Sequence, residues 1–370
     1  MIHARRPLSG TELLHAFSVK SGTSELNKKY IPELEDLVSI CAGLIIIDER
    51  SDIVRLVHYT TQEYFQRTQQ MWFPHAERGI ATACMTYLSF DTFDKGFCLT
   101  DEQLETRLQL NPFYDYASRN WGYHVKAAFS DVEQQLLELF QSDAKLTATA
   151  QALLIVKGYL DYSQRVPQQV TGIHLAAYFG MDELIKILLM HGYPPHPKDS
   201  YGQTPLLWAA KRGNEDALRL LLEQEMVERD STDGSGRTAL SWAAGNGHDD
   251  VVRLLLEEGS DINAKDNDGW AALQHAIWNT ESATVRLLLE HKANIMAKDN
   301  NGWTALHRAA DSGREDMVRL LIGNESIDAE NMTPEMETMI RYKTFVKKTG
   351  EKRVWLVHFT TQSKEEMKLR

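Results

Sequence analysis

The sequence predicts a mainly α chain. About five tandem two-helix repeats fill residues 166–330, after a small helix-and-hairpin domain at 1–70 and a helical connector at 71–165. A basic tail, expected to be poorly folded, follows at 331–370. Three observations predict this. Thr171-Gly-Ile-His-Leu-Ala-Ala recurs as Thr204-Pro-Leu-Leu-Trp-Ala-Ala, Thr238-Ala-Leu-Ser-Trp-Ala-Ala, Ala271-Ala-Leu-Gln-His-Ala-Ile and Thr304-Ala-Leu-His-Arg-Ala-Ala, at intervals of 33, 34, 33 and 33 residues. A leucine-rich motif around Lys186, Arg219, Arg253, Arg286 and Arg319 keeps the same step. In the first half, helical spacing of apolar residues gives way to two short β-branched runs between residues 44 and 58. Two motifs locked in phase over five copies define one supersecondary unit per period, each burying its apolar face against the next.

Within 1–70, Thr11-Glu-Leu-Leu-His-Ala-Phe17 has helical spacing behind a Ser9-Gly-Thr11 cap region. Residues 32–41 read as a second helix, with Pro32 at its start, acids in its first turn and Gly43 beyond its end. Residues 44–48 and 53–58 read as strands joined by the polar turn Glu49-Arg-Ser-Asp52. Thr60-Thr-Gln-Glu63 is a capping box for a third helix. Helices followed by a hairpin is the order of a winged helix. His58 then belongs to a strand, in the core or at an interface. In the connector, Tyr114, Tyr116, Trp121 and Tyr123 are expected to form a core.

Each repeat reads as helix, short turn, helix and extended loop. The opening threonine is an N-cap, and Pro205 sits at a first helical position where the missing N–H costs nothing. The Ala-Ala pairs allow close helix approach, and the leucines fill the space between repeats. Gly180, Gly213, Gly247 and Gly313 follow the first helices, and Gly192 and Gly259 the second, where left-handed caps suit them. The loops turn at Asp199-Ser-Tyr-Gly202, Asp266-Asn-Asp-Gly269 and Asp299-Asn-Asn-Gly302, and at a tip one residue longer, Asp233-Gly-Ser-Gly-Arg237. His174 and His307 read as capping partners. The fourth repeat departs most: Ala271 replaces the capping threonine, and Asn279-Thr280 and Lys292 stand where other copies have glycine, so it is expected to be the softest. Thr333-Pro334 looks like the start of a stunted sixth copy, although Glu335-Met336 replaces the apolar continuation.

These repeats resemble ankyrin repeats. The N-terminal stretch resembles the winged-helix segment of fungal NACHT-type signalling ATPases (STAND, or NLR-like, proteins), a segment that often carries a GPI-inositol-deacylase name. The residues that carry this likeness are Arg6-Pro-Leu8, Glu12-Leu-Leu-His-Ala16, Val38-Ser-Ile-Cys-Ala-Gly43 and Val54-Arg-Leu-Val-His-Tyr-Thr-Thr-Gln-Glu-Tyr-Phe65. Thr86-Tyr-Leu-Ser-Phe-Asp91, Leu108 to Ala117, Asn120-Trp-Gly-Tyr-His124 and Tyr162-Ser-Gln-Arg-Val-Pro167 continue it through the connector. The resemblance implies the C-terminal part of such a switch, either a truncated paralogue or an incomplete gene product, acting as sensor and transmission arm. The ATPase module that precedes this segment in the family has no counterpart here: the chain contains no Gly-x-x-x-x-Gly-Lys-Ser/Thr loop. It also contains no Gly-x-Ser-x-Gly elbow to support a deacylase.

Composition is that of a globular protein, 43% hydrophobic and 25% charged, and the net charge of −12 argues against nonspecific binding to nucleic acid or anionic membranes. Cys41, Cys84 and Cys98 lack metal-ligand spacing and are expected to be free thiols. The longest apolar run, Leu44 to Ile47, is far short of the roughly 20 residues of a membrane span. No secretory stretch follows Arg5-Arg6, so an intracellular location, cytoplasmic or nuclear, is expected. The tail from residue 338 holds nine Lys and Arg against three Glu, and 354–362 repeats 54–62 at seven of nine positions. This echo is read either as a fusion or duplication remnant or as a stray strand and helix start that competes with the strand at 54–58.

No catalytic, cofactor or metal motif is present, and the expected function is non-enzymatic: an array recognising a protein partner through its concave face. The positions ankyrin proteins leave free for binding are the tips and the ends of the first helices. Here these are Tyr178, Phe179, Tyr201, Gln203, Lys211, Arg212, Arg237, Asn246, Trp270, Trp278 and Trp303. Aromatics and arginine are common interface hot spots. Trp270 and Trp303 occupy the same place in successive tips, so they either meet a partner or stack as a structural ladder. The alternative function is a nuclear regulator placing the winged helix on DNA. Eight Lys and Arg against nine Asp and Glu in residues 1–70 make a poor phosphate footprint.

Overall fold

A computed structural model describes residues 2–323 apart from Glu49 and Met226. The stunted sixth repeat, the basic tail and the 354–362 echo lie outside the described residues. The chain divides into two compact units. One is Met1–Leu184 with Lys198–Tyr201; the other is Ile185–Pro197 with the described residues from Gly202 onward.

The first unit opens with α1 (Gly10–Ser18), capped by a reciprocal box in which Ser9 Oγ accepts Glu12 N–H and Glu12 accepts Ser9 N–H. Next come α2 (Leu34–Ile40) and an antiparallel hairpin, β1 (Ile45–Asp48) and β2 (Ile53–Leu56), with Ile45 opposite Leu56. Asp48 Oδ1 closes the turn by accepting the Arg50 and Ser51 amides, and Val54 N–H donates to Leu8 C=O, which ties the hairpin to the chain start. Then α3 (Tyr59–Trp72) follows. Two expectations need correction here. β2 stops at Leu56, so His58 is neither a strand nor a core residue. It is exposed and caps α3, its Nδ1 accepting from Thr60 Oγ1 at 2.8 Å and Thr60 N at 3.4 Å, in the place the sequence assigns to a Thr60 box.

Six further helices complete this unit: α4 (Ala76–Leu88), α5 (Asp101–Leu110), α6 (Phe113–Ala127), α7 (Phe129–Gln141), α8 (Asp143–Leu154) and α9 (Gly172–Phe179). The core forms where α6 packs on α4. Tyr87, Phe93, Phe113, Tyr114, Tyr116 and Trp121 are all buried, and Phe93 stacks on Tyr114 at 4.2 Å. A polar chain crosses this core. His124 Nδ1 donates to Glu77 at 2.7 Å, its Nε2 lies 2.8 Å from Tyr116 Oη, and that hydroxyl accepts Arg5 N–H. Burial pushes the Tyr116 phenol up to about 12, so it stays a neutral donor to the imidazole. Cys84 and Cys98 are buried and, with Cys41, free of disulfides.

Phe179 closes the α6–α9 contact and corrects another expectation. It is only 4% exposed, edge-on to Trp121 at 4.8 Å and to Tyr123 at 5.2 Å, with its ring seated where Gly122 lacks a side chain. The residue after an Ala-Ala-Tyr run is open in a bare repeat. Here α6 covers it.

α10 (Asp182–Met190) spans the division between the units. In the second unit α11 (Pro205–Arg212), α13 (Ala239–Gly245), α15 (Ala272–Asn279) and α17 (Ala305–Asp311) are the first helices of successive repeats. α12 (Glu215–Leu222), α14 (Asp249–Glu257), α16 (Ser282–Glu290) and α18 (Glu315–Ile322) are the second. Each row packs on its own kind: α11 on α13 on α15 on α17, and α12 on α14 on α16. Leu218, Leu221, Leu255 and Leu288 are fully buried between them, each side chain contributing about 2 kcal/mol by leaving water. Thr204, Thr238 and Thr304 cap their helices as the spacing predicts. Ala271 offers no acceptor, and half of a capping box survives at α15: Gln274 Oε1 accepts Ala271 N–H at 3.1 Å.

The fourth repeat keeps the backbone of its neighbours without their residues. Gly213, Gly247 and Gly313 have φ of 73°, 70° and 67°, and Thr280 takes the same place at 70°. Gly259 at 83° is matched by Lys292 at 63°. A side chain in this left-handed region costs about 1–2 kcal/mol. Lys292 is exposed, so Lys292→Gly is expected to stabilise the chain by about 1 kcal/mol, seen as a higher urea midpoint. Thr280→Gly gains less, because Thr280 Oγ1 accepts from Arg314 Nη1 at 2.5 Å. An unchanged or lower midpoint for Lys292→Gly would show that its backbone is unstrained.

Candidate partner-binding face

The tips of the second unit are organised by buried carboxylates. Asp233, Asp266 and Asp299 are 6–7% exposed. One oxygen of each builds its own turn. Asp233 Oδ1 accepts the amides of Ser235 and Arg237, Asp266 Oδ1 those of Asp268 and Trp270, and Asp299 Oδ1 those of Asn301 and Trp303, all at 2.8–3.0 Å. The other oxygen takes a donor from the helix that follows: Trp242 Nε1 at 3.0 Å for Asp233, His275 Nε2 at 2.8 Å for Asp266, and Arg308 Nε at 2.9 Å for Asp299. Successive tips are also laced together. The Asn267 amide donates to Ser235 C=O and the Asn300 amide to Asp268 C=O, while the two carboxamides reach Gly234 C=O and Asn267 C=O.

Desolvation opposes ionisation of Asp266. The hydrogen bonds from His275 and from the Trp270 and Asp268 amides outweigh it and hold this carboxyl below the usual aspartate range. The His275 tautomer follows from geometry: Nε2 faces a carboxylate and must carry the proton.

On this scaffold cations and indoles alternate. Trp242 lies under Lys211 Nζ at 4.3 Å and Arg237 Cζ at 4.9 Å. Arg308 Cζ is 4.9 Å from the Trp270 ring and 4.8 Å from that of Trp303. Trp278 meets Trp270 edge-on at 5.7 Å and has Arg314 above it at 5.7 Å. The guanidiniums are thus held by aromatic faces, an arrangement worth about 0.5–2 kcal/mol per contact.

Trp270 and Trp303 are half-buried and form a ladder, with the Arg308 guanidinium as a rung between them. Trp278 is 47% exposed. Lys211, Arg212 and Asn246 are exposed, and Arg237 is half-buried. Gln203 is 7% exposed and offers no surface, a second correction to the expected set after Phe179; the tip turns it inward beside the buried Thr204 cap. Tyr178, Phe179 and Tyr201 belong to the first unit, where Tyr178 is half-buried against Phe179 and Tyr201 is 43% exposed. The structure brings together Lys211, Arg237, Trp270, Trp278 and Trp303. It adds Trp242, His275, Arg308 and Arg314, which the sequence reading missed. A signal existed. Nine residues after each tip aspartate stands a side chain with an N–H donor: Trp208, Trp242, His275 and Arg308.

The fold defines a helical-repeat protein with a hairpin-bearing N-terminal domain. Residues 173–266 and 258–333 match the family described as ankyrin repeats (3 copies). Residues 1–71 match the family described as GPI inositol-deacylase, winged helix domain. The chain therefore carries ankyrin repeats in its C-terminal half and a winged-helix domain of that type at its N-terminus. Among the described residues, no helix is long and apolar enough to cross a membrane.

Proposed function

We propose that this chain is a non-enzymatic protein–protein interaction module whose ankyrin repeats recognise a protein partner through the indole and cation face of the second unit. The observation that carries this reading is Trp278, a large indole 47% exposed among side chains immobilised by buried carboxylates. An exposed tryptophan beside arginines is a hot-spot composition, and its rigidity lowers the entropic cost of association. The domain order 1–70, 71–165, 166–330 and 331–370, together with the resemblance to STAND proteins, supports a sensor or transmission role for this part of a switch.

The test is a pull-down from native extract with wild type and with Trp278→Ala/Arg314→Ala, both first checked for native circular dichroism. A partner lost only from the folded variant supports the reading; identical captures with both proteins sink it. Among the alternatives, DNA recognition by the winged helix has little to work with. α3 carries one cation, Arg67, against Glu63, and exposes Tyr59, Met71 and Trp72. Salt-dependent duplex binding is not expected.

A further inference from the structure

We infer that the first unit holds a small-molecule site, and that its ligand is a neutral aromatic compound carrying hydroxyl groups. The site is a cleft of about 920 Å³ between the chain start, α1, α4 and α7. That volume is in the usual range of ligand pockets. Its walls are chiefly apolar: Ile2, Leu8, Phe17, Phe73, Ile80 and Phe113. Phe17 and Phe73 are exposed, and three rings around one cleft favour an aromatic occupant. Ala76, Gly79 and Ala83 fall on one stripe of α4 and give the cleft its depth; a Cβ on Gly79 would meet nothing within 4 Å.

The polar groups of the lining select the ligand's chemistry. Arg78 and Asp131 are paired at 3.4 Å, so the cleft offers little net charge to an ion. His3 stands on the wall with its Nδ1 3.2 Å from Glu77 Oε1. The carboxylate calls for a proton on Nδ1, and in the neutral ring this leaves Nε2 a bare acceptor. That Nε2 is buried and has no hydrogen-bond partner among the described residues. Gln135 repeats the pattern. Its Nε2 donates to Ser21 Oγ at 3.1 Å, while its Oε1 is buried without a partner among the described residues. Gln135 also borders a smaller polar recess, where Thr86 Oγ1 is likewise unpartnered among them. Buried acceptors cost free energy until a donor meets them. A ligand that presents O–H groups from an aromatic frame satisfies them and covers the open phenylalanines. A carboxylate or phosphate brings only acceptors.

The experiment uses the full chain and equilibrium dialysis. The probes are a biphenyl diol and a naphthalene diol, each beside its dimethyl ether, with biphenyl dicarboxylate as the anion. The better diol is expected to bind about tenfold or more tightly than its ether, which keeps the rings but donates nothing, and more tightly than the dicarboxylate. Gly79→Leu fills the cleft on a helix that gains from losing a glycine, and is expected to abolish binding with native circular dichroism retained. His3→Phe and Gln135→Leu are each expected to lower the preference for diol over ether several-fold while ether binding stays, a result that a general loss of structure would not give. Equal binding of diol and ether, binding of neither diol, or a dicarboxylate as tight as the diol overturns the inference. So does undiminished binding by folded Gly79→Leu, or an unchanged preference in both His3→Phe and Gln135→Leu. The partner-binding reading of the second unit is untouched by any of these results.

Discussion

Gly122→Ala is expected to destabilise the first unit by about 3 kcal/mol, the top of the usual range for overpacking. A Cβ on Gly122 would stand 2.2 Å from Phe179 Cγ and 2.4 Å from Cδ2, well inside van der Waals contact. The ring has little room to retreat, since Trp121, Tyr123 and Tyr178 flank it at centroid distances of 4.8–5.2 Å. Its α-helix would otherwise gain from the substitution, because alanine is the better helix former by about 1 kcal/mol. Urea denaturation followed by near-ultraviolet circular dichroism measures the net effect. The double variant Gly122→Ala/Phe179→Leu is expected to recover part of the loss, since a smaller side chain yields the space. A single variant as stable as wild type would mean that α6 and α9 do not meet through this pair.

Asp266→Ala is expected to cost about 3 kcal/mol in the second unit. It strips the acceptor from the Asp268 and Trp270 amides and from His275 Nε2 at once, and buried donors left unsatisfied cost about 1–3 kcal/mol each before relaxation. Asp266→Asn costs less, because an amide oxygen can still accept the two turn amides. The same carboxylate gives a pH dependence of definite sign. Its folded pKa is depressed, so its contribution is fully present above the ordinary aspartate value of about 4 and is lost as pH falls towards and through the folded pKa. Acid titration of the unfolding free energy should therefore be flatter in Asp266→Ala than in wild type over that window. Parallel curves would show that Asp266 is not the titrating group.

Partner binding and stability are linked through these aspartates. Within the proposed face, Arg237 and Trp270, the indole on which Trp278 packs, receive their backbone positions from Asp233 and Asp266. A tip variant that loses binding must be shown to keep its turn before its side chain is credited with the contact.

Period, phase and capping chemistry were enough to read the repeats and the order of helices and strands in the N-terminal domain. Those signals are local: a threonine three residues before its helix-turn partner, a glycine at a positive φ, a proline at a first helical position. Even the departures were legible, since Thr280 and Lys292 hold the glycine backbone that their neighbours imply. The composition of the binding face was half legible. Trp278, Lys211 and Arg212 could be placed because repeat position predicts which residues end a first helix. Trp242, His275 and Arg308 were missed: their nine-residue spacing from the tip aspartates is in the sequence, but it gains meaning only once those carboxylates are seen to be buried and to need a donor.

What the sequence by itself determined is therefore what depends on the residue and its near neighbours along the chain: the period of the repeats, the threonine caps of the second unit and the left-handed turns that follow its helices. Only the tertiary structure decided which residues of the expected face are accessible. Phe179 is buried because α6 presents a glycine that admits its ring, and Gln203 because its tip turns it inward, while Trp270 and Trp303 are half-buried with an arginine between them. Each outcome turns on a side chain distant in sequence or in the next repeat, and close packing leaves such contacts no tolerance for a different neighbour.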